Sequence, residues 1–439
     1  MNGALTPNQL DSLWMPFTAN REFKSNPRLM TSASGCYFTD QNNRKIYDSL
    51  SGLWTCGLGH NNQYINEAIT KQLATLDYAP SFQFGHPTAF ELAERIADLM
   101  PKGLDKVFFT NDGSESVDTA LKMARAYWRK KGMASKTKYI GRVKGYHGVN
   151  FGGVSVGGIV GNKALYGQGL DTDHLSHTII PGNEFQKGLP AQGAYLAEQL
   201  NEMIALHDAS NIAAVIIEPV AGSAGVLPPP VGYLQKVREI CDKNNILLIF
   251  DEVICAFGRM GAYSGAEKFG VTPDIMTTAK QLTNGIIPMG AVICQSEIYD
   301  AFMANSGDIS AIEFPHGYTY SASPVACAAA MATLDELENQ NIMERVNGLS
   351  PLFEESVHSL RDLPYISDIR NYGLAAGITL THKDGSPVKR PYEVAMRMWD
   401  KGFYLRYGGD TVQLGVPFIT TPDEIDRLVN ALGESIENK

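Results

Sequence analysis

Short apolar runs alternate with helical patterns through the middle of this chain, and this alternation limits the possible folds more than any other feature. Three runs are the clearest: IAAVII at 212–217, ILLIF at 246–250 and DIMTTA at 274–279. Residues 231–243, between the first two, follow three prolines and have the periodicity of a helix. Strands that alternate with helices form parallel sheets, so the pattern predicts an α/β fold with a mostly parallel sheet.

The same alternation gives a domain prediction. An earlier run, KVFFT at 106–110, precedes a strong helical pattern, and we place a large α/β domain at residues 61–325. The C-terminal third mixes helices with short strands and contains a capping box at 421–424. We therefore predict that residues 1–60 and 326–439 form a smaller α+β domain.

Composition excludes several classes of function. The formal net charge of −10 argues against nucleic-acid binding, and no apolar run is long enough to cross a membrane. The six cysteines are scattered without a CxxC pair, and the first residues do not resemble a signal peptide, so we expect a cytoplasmic protein with reduced thiols. His174 and His177 have a spacing compatible with a metal site, but no further ligands complete a set, and we predict no bound metal.

Three ionisable residues follow three of the predicted strands. Glu218 ends the first run, Asp251 the second and Lys280 the third. The carboxyl ends of parallel strands meet at one edge of a sheet, which is where open α/β folds bind ligands. A buried lysine there readily acts as a nucleophile toward a carbonyl group. Strand placement alone, however, is equally compatible with a buried Asp–Lys ion pair.

A possible anion site lies in the turn that follows KVFFT. Gly113 and Ser114 come between a strand and a helix, where free backbone N–H groups and the helix dipole favour an anion. The alternative is that Ser114 and Glu115 only cap the helix. A phosphate site, a carboxylate and a lysine at one sheet edge together match the needs of pyridoxal 5'-phosphate (PLP).

At these residues the sequence resembles the class III aminotransferases of PLP fold type I, and within them the ω-amino acid (β-alanine):pyruvate aminotransferases. The similarity extends from WMPFTANR at 14–21 almost to the C-terminus. The segments that carry it are SGLWTCGLGH (51–60), NDGSESVDTALKMARAYW (111–128), GYHGVNFGGVSVGG (145–158), EPVAGSAGVLPPPVGYL (218–234), FDEVICAFGR (250–259), TAKQLTNGIIPMGAV (278–292), HGYTYSASPVACAA (316–329) and LRYGGDTVQLG (405–415).

The resemblance implies roles around the cofactor. Lys280 would bind PLP as a Schiff base and move the proton during the reaction, and Asp251 would pair with the pyridinium nitrogen. Val253 and Tyr146 would pack on the two ring faces, although Tyr146 alone could be an ordinary half-buried aromatic residue. Glu218 would support the ring hydroxyl region and the surroundings of Asp251.

The resemblance also implies phosphate and subunit contacts. Gly113 and Ser114 would bind the cofactor phosphate, and Thr319 would reach the phosphate bound by the other subunit. The expected assembly is therefore a homodimer with composite active sites, with a tetramer as the alternative.

Substrate recognition is assigned by the same resemblance to Trp54, Arg406 and Gln413. An arginine suits a carboxylate because its guanidinium binds in a bidentate way and stays charged. Taken alone, however, Arg406 could form a surface salt bridge and Trp54 could be a core residue.

The implied reaction is a two-stage transfer of an amino group from an ω-amino acid or amine donor to pyruvate, which gives L-alanine and an aldehyde, semialdehyde or ketone. The alternatives are another class III activity, an aminomutase or a decarboxylase, or a non-catalytic binding protein with this fold. Three residues depart from the common family pattern: Gln281 after the lysine, Ala256 in place of a glycine, and Ser323 in place of a histidine. Gln281 is a variant that fits the β-alanine:pyruvate subgroup, whereas Ala256 and Ser323 leave the preferred substrate open.

Overall fold

A computed structural model describes residues 7–167, 169–304 and 307–437. The strands in this part of the chain are β1 (Met30–Ser34), β2 (Tyr37–Asp40), β3 (Lys45–Asp48), β4 (Leu104–Thr110), β5 (Lys138–Arg142), β6 (Thr172–Leu175), β7 (Ile212–Ile217), β8 (Leu247–Asp251), β9 (Ile275–Thr278), β10 (Gly290–Gln295), β11 (Ile366–Tyr372), β12 (Ala375–Leu380), β13 (Phe403–Tyr404), β14 (Arg406–Gly408) and β15 (Thr411–Leu414).

The α-helices of the described residues are α1 (Pro7–Leu10), α2 (Asn20–Ser25), α3 (Ser51–Trp54), α4 (Gln63–Thr75), α5 (Pro87–Leu99), α6 (Gly113–Lys130), α7 (Phe151–Val156), α8 (Val160–Lys163), α9 (Gln199–His207), α10 (Tyr233–Lys243), α11 (Gly265–Phe269), α12 (Ser296–Met303), α13 (Pro324–Asn339), α14 (Ile342–His358), α15 (Lys389–Asp400) and α16 (Pro422–Glu437). Short 3₁₀ helices form at Ala194–Glu198, Ala209–Asn211, Lys280–Thr283 and Ser359–Asp362. None of these helices is both long and apolar enough to cross a bilayer.

The central sheet has seven strands in the order β4-β10-β9-β8-β7-β5-β6. All neighbouring pairs from β9 to β6 are parallel, whereas β10 runs antiparallel to both of its neighbours. The predicted α/β fold with a mostly parallel sheet is therefore confirmed. Every residue of β7 is buried, as expected for a strand covered by helices on both faces.

The individual strand predictions are confirmed to within two residues. The crossover helix predicted at 231–243 is α10, and the predicted apolar face of α6 is buried. The third run is shorter than predicted, because Ala279 leaves the strand conformation with φ −168° and ψ −126°. Lys280 therefore opens a 3₁₀ helix two residues after β9 ends, while Glu218 follows β7 directly and Asp251 is the last residue of β8.

The terminal parts of the chain form two smaller sheets. One consists of β1, β2, β3 and β13, in which β13 from the C-terminal region pairs in parallel with β3. The other is antiparallel, with the order β11-β12-β15-β14. The capping box before α16 is confirmed: the Glu424 N–H donates to Thr421 Oγ1 at 3.3 Å, and the Thr421 N–H donates to Glu424 Oε2 at 2.9 Å. The domain boundaries at residues 61 and 325 stay a prediction.

Candidate active site

A cavity of about 300 Å³ opens at the carboxyl edge of the central sheet. Seven of the residues predicted to form the site line it: Gly113, Ser114, Tyr146, Glu218, Asp251, Val253 and Lys280. The other lining residues are Thr55, Asn111, Asp112, His147, Gly148, Val220, Gly222, Ile254, Ala279, Gly285, Ile287, Pro288 and Met289. The structure thus brings together the three strand-end residues and the predicted anion site.

Lys280 is the only amine among the residues that line this cavity. Its backbone has φ +31°, a left-handed conformation that side chains with a Cβ rarely adopt and that often marks functional sites. Burial lowers the pKa of the Lys280 amine; the carboxylate of Asp251 opposes this effect and the charge of Arg406 adds to it. A lowered pKa increases the fraction of neutral, nucleophilic amine near neutral pH.

Asp251 is 4% exposed and is held by three donors. His147 Nδ1 lies 2.8 Å from Oδ2, while the Val253 N–H and Thr277 Oγ1 donate to Oδ1 at 3.1 and 3.3 Å. His147 is itself buried. Burial alone would lower its pKa, but the hydrogen bond to Asp251 and the nearby Glu218 carboxylate together raise the pKa above its usual value. A protonated His147 forms a charge-assisted hydrogen bond with the Asp251 carboxylate beside the cavity.

Glu218 joins the same group of charges from the next strand. Its Oε1 accepts a hydrogen bond from the Tyr146 N–H at 3.1 Å. Its Oε2 has no hydrogen-bond partner among the described residues and lies 3.8 Å from Arg142 Nη2 and 3.9 Å from His147 Nε2. Burial raises the pKa of Glu218, and the two cations oppose that shift. An unsatisfied buried oxygen that lines a cavity is available to a ligand.

Helix α6 points its N-terminus at the cavity. The predicted alternative, in which Ser114 and Glu115 cap this helix, is wrong in one respect. Asp112 is the N-cap residue and accepts from the Glu115 N–H at 2.9 Å, and Glu115 Oε2 accepts in return from the Asn111 N–H at 2.8 Å. Ser114 is therefore not needed as a cap, and its Oγ accepts from the Val149 N–H at 3.2 Å. The first N–H groups of a helix have no partner within the helix, so those of Gly113 and Ser114 can bind an anion.

The turn has no room for a side chain at residue 113. A Cβ on Gly113 would lie 2.9 Å from Val253 Cγ1. Gly148 is equally restricted, because a Cβ there would lie 2.5 Å from Ser114 Oγ. Only glycine therefore fits where the backbone of this turn faces the cavity.

Four predicted site residues do not line the cavity. Trp54 is 3% exposed and packs against Gly415, where an added Cβ would lie 2.3 Å from the indole ring. Gln413 is fully buried; its Nε2 donates to the Ser223 carbonyl at 2.9 Å, and its Oε1 has no partner among the described residues. Thr319 is exposed, and its carbonyl accepts from the Tyr78 hydroxyl at 3.0 Å.

Arg406 is partly buried at the start of β14, opposite Gln413 of β15. In the described part of the chain no carboxylate lies within salt-bridge distance of its guanidinium. Burial is the larger effect on the pKa values of Lys280 and Tyr146, and it lowers the first and raises the second. The charge of Arg406 nevertheless acts on both groups and lowers both pKa values. Arg406 therefore lies near the cavity, and its charge is not paired with any carboxylate of the described residues.

Sequence reasoning missed Arg142 and His147. Arg142 is the last residue of β5, so the strand-end argument would have included it if KYIGR had been recognised as a strand. His147 lies beside Tyr146 in a segment without periodicity, and only the folded chain shows that it contacts Asp251. The substitution at residue 256 costs no backbone strain, because the positive φ values in this segment belong to Phe257 and Gly258.

The departure at residue 281 has a clear structural role. Gln281 is 3% exposed, and its Oε1 accepts a hydrogen bond from the Gly57 N–H at 2.7 Å. Its Nε2 donates to Asn284 Oδ1 at 3.3 Å, and Asn284 Oδ1 accepts from the Leu58 N–H at 3.0 Å. The segment after Lys280 is thereby connected to the N-terminal part of the chain.

Comparisons with known proteins agree with this geometry. The family "Aminotransferase class-III" matches residues 18–436. The chain is 58% identical to a β-alanine–pyruvate aminotransferase from Pseudomonas aeruginosa, over 96% of this chain and 95% of the relative. It is 55% identical to an ω-amino acid–pyruvate aminotransferase from Pseudomonas putida, over 97% and 95%. A solved structure of an ω-transaminase from Pseudomonas jessenii, in complex with pyridoxamine phosphate (PMP), has a TM-score of 0.92 at 30% identity. The match covers 99% of this chain and 98% of that chain. The chain therefore belongs to the class III aminotransferases.

Proposed function

We propose that this protein transfers an amino group from β-alanine or a related ω-amino acid or amine to pyruvate, with PLP as its cofactor. The observation that carries the proposal is that Lys280 and Asp251 face one cavity together with the N-terminus of α6. The names of the relatives from P. aeruginosa and P. putida support the choice of donor and acceptor.

The residues around the cavity fit PLP. The N–H groups of Gly113 and Ser114, at the start of an 18-residue helix, suit a phosphate. The Asp251 carboxylate suits a protonated ring nitrogen, and Val253 and Tyr146 supply apolar and aromatic surface for the two ring faces. The unsatisfied Glu218 Oε2 and His147 Nε2 are available to polar groups near the ring. When bound, PLP supplies an electron sink for the bond that breaks at the substrate carbon.

The protein itself supplies proton transfer and orientation. Lys280 would hold the cofactor through its side-chain amine, and the same amine, when free, would accept the proton from the substrate carbon that bears the amino group. Its lowered pKa suits this role, because it increases the neutral fraction of the amine, which is the form that accepts a proton. Asp251 would pair with the ring nitrogen of the cofactor, and the hydrogen bond with His147 orients the Asp251 carboxylate.

A donor panel tests the proposed function. With pyruvate as acceptor, β-alanine, longer ω-amino acids and simple amines should each give L-alanine in an amount equal to the donor consumed. Release of carbon dioxide would indicate a decarboxylase, and an isomerised product without any need for a keto acid would indicate an aminomutase. A protein that stays colourless after incubation with PLP would contradict a PLP enzyme of any kind.

Arg406 is proposed to bind the substrate carboxylate, with Trp54 and Gln413 beside it. Its unpaired charge near the cavity supports this role. Arg406→Ala should therefore raise the KM for pyruvate by about 10- to 100-fold, since a hydrogen-bonded charge pair contributes about 1.5–3 kcal/mol. Half-reactions measured separately by stopped flow provide the check. The half-reaction of an amine without a carboxylate should change little, and the exposed Arg361 provides a control as Arg361→Ala. Equal effects on both half-reactions would contradict the assignment.

We also propose a homodimer in which Thr319 completes the partner's phosphate site. The Tyr78 hydroxyl contacts Thr319, and the Tyr78 ring packs against that of Tyr320. Exposed aromatic side chains are concentrated in residues 78–90 and at Tyr320, which is typical of an interface rather than of a free surface. They are Tyr78, Phe82, Phe84, Phe90 and Tyr320, which are 41%, 54%, 73%, 72% and 65% exposed.

The six cysteines, all free thiols, are compatible with the cytoplasm.

The exposed aromatic side chains of residues 78–90 indicate which substitutions should separate the subunits. Phe84→Asp combined with Phe90→Asp should convert the dimer to monomers in sedimentation and should lower activity together with PLP affinity. Leu206, which is 75% exposed on α9, serves as the control, and Leu206→Asp should change neither. A double variant that stays dimeric would show that this surface is not the interface.

A further inference from the structure

Arg259 is a buried cation without a carboxylate partner. It is 2% exposed, and in the described residues no carboxylate lies within salt-bridge distance of it. Its Nη1 donates to the carbonyls of Leu374 at 3.1 Å and Val416 at 2.6 Å, and its Nη2 donates to Ser51 Oγ at 2.9 Å. Burial lowers the pKa of Arg259 to about 9, against the opposing effect of Asp48. Because burying a charge is costly, the buried guanidinium of Arg259 indicates that its contacts have a structural or functional role.

The contacts of Arg259 join three distant parts of the chain. Its guanidinium lies 5.6 Å from the centre of the Trp54 ring and 4.7 Å from that of Phe418, within the range of cation–π attraction. Ser51 Oγ, which accepts from Arg259, donates in turn to the Gly415 carbonyl at 2.7 Å. Arg259, which lies eight residues after Asp251 in the sequence, thus connects the N-terminal and C-terminal segments beside the cavity.

Residues 51–56, which we call the Trp54 loop, need such support. Ser51 and Trp54 have φ values of +50° and +67°, which are unfavourable for residues with a side chain. The indole Nε1 of Trp54 is buried and has no hydrogen-bond partner in the part of the chain that the structure describes. Arg259 and close packing on Gly415 therefore hold the loop. Thr55, which follows Trp54 in the loop, lines the cavity.

We propose that Arg259 is a positioning residue for substrate selection, which fixes the Trp54 loop as one wall of the donor-binding space. Arg259 does not line the cavity, so it acts through Trp54 and not on the substrate. A fixed wall favours small ω-amino acids over bulky aromatic amines, because an added group would have to displace the loop. The inference rests on the proposed aminotransferase function and names the residue that sets its substrate size.

The test compares two donors, β-alanine and 1-phenylethylamine, with pyruvate as acceptor. Arg259→Met should raise the KM for β-alanine about tenfold and change kcat less than about threefold, because it removes binding and not chemistry. The ratio of kcat/KM for the bulky donor to that for β-alanine should rise about tenfold. Arg259→Lys, which keeps the charge but not the planar donors, should give an intermediate result and replaces the Met variant if that variant does not fold.

A double-mutant cycle separates positioning from general destabilisation. If Arg259 acts through Trp54, its substitution should have little further effect on donor preference in a Trp54→Ala background. Lys136 provides a matched control at the opposite edge of the sheet. This buried amine donates to the carbonyls of Ala209, Ile212 and Asn245 at 2.7–3.1 Å and lies 4.5 Å from the Trp128 ring centre. Lys136→Met should lower the melting temperature without changing donor preference.

The outcomes distinguish this inference from the proposed function. If wild-type protein forms no alanine from any donor, the proposed function is wrong. If the wild type is active but Arg259→Met changes donor preference no more than Lys136→Met does, Arg259 is structural only and the inference is overturned. Additive effects of the Arg259 and Trp54 substitutions would likewise overturn it.

Discussion

Replacing Lys280 by alanine is expected to lower kcat for the reaction of β-alanine with pyruvate by more than about 10,000-fold. The two functions proposed for Lys280, covalent attachment of the cofactor and transfer of the proton, would be lost together, and proton transfer alone contributes about 10²- to 10⁴-fold. Among the described residues that line the cavity, no other amine could replace Lys280. The measurement is the initial rate of alanine formation. In addition, borohydride reduction before denaturation should leave the cofactor attached to wild-type protein but not to the variant.

Lys280→Arg separates the chemistry of the amine from its charge. An arginine keeps a positive charge in the cavity and stays protonated near neutral pH, so it can neither attach the cofactor nor accept the substrate proton. We expect this variant to be as inactive as Lys280→Ala. Activity within about tenfold of wild type in either variant would show that Lys280 is not the catalytic residue.

The catalytic side of the site was predictable because its residues follow strong local signals. Glu218 and Asp251 end long apolar runs, and the carboxyl ends of parallel strands must share an edge once the sheet is parallel. The turn at residue 113 follows the same logic, since it joins a strand to an amphipathic helix. The sequence left an ion pair of Asp251 and Lys280 equally possible. The structure shows instead that Asp251 is hydrogen-bonded to His147.

The substrate side of the site could not be predicted from local patterns. Trp54 and Arg406 lie on segments separated by most of the chain, which come together through the pairing of β3 with β13 and the hydrogen bond from the Gly415 N–H to the Ser49 carbonyl. Such non-local contacts leave no periodicity in the sequence. Only the resemblance to a family suggested Trp54 and Arg406, and their roles stay predictions.

Asp251→Asn is expected to lower kcat by about 10²- to 10³-fold, the usual effect of removing one preorganised electrostatic contact in an active site. The amide keeps the shape of Asp251 but loses the charge that is proposed to hold the cofactor ring nitrogen protonated. It also loses the charged hydrogen-bond partner of His147, so the pKa of His147 should fall. Steady-state rates at saturating PLP measure the first effect, and the pH dependence of kcat measures the second.

The neighbouring residue provides the control for this substitution. Glu252 is also fully buried, but it does not line the cavity, and its two oxygens accept the N–H groups of Gly265 and Ala266 at 2.7 Å. Glu252→Gln loses one of these bonds and should destabilise the fold by about 1–3 kcal/mol while leaving kcat of the folded holoenzyme unchanged. Asp251→Asn also loses a buried hydrogen bond and should lower the melting temperature as well, but only this variant should show a large loss of kcat in the folded holoenzyme. If both substitutions acted only on stability, Asp251 would be a structural carboxylate that serves to hold His147.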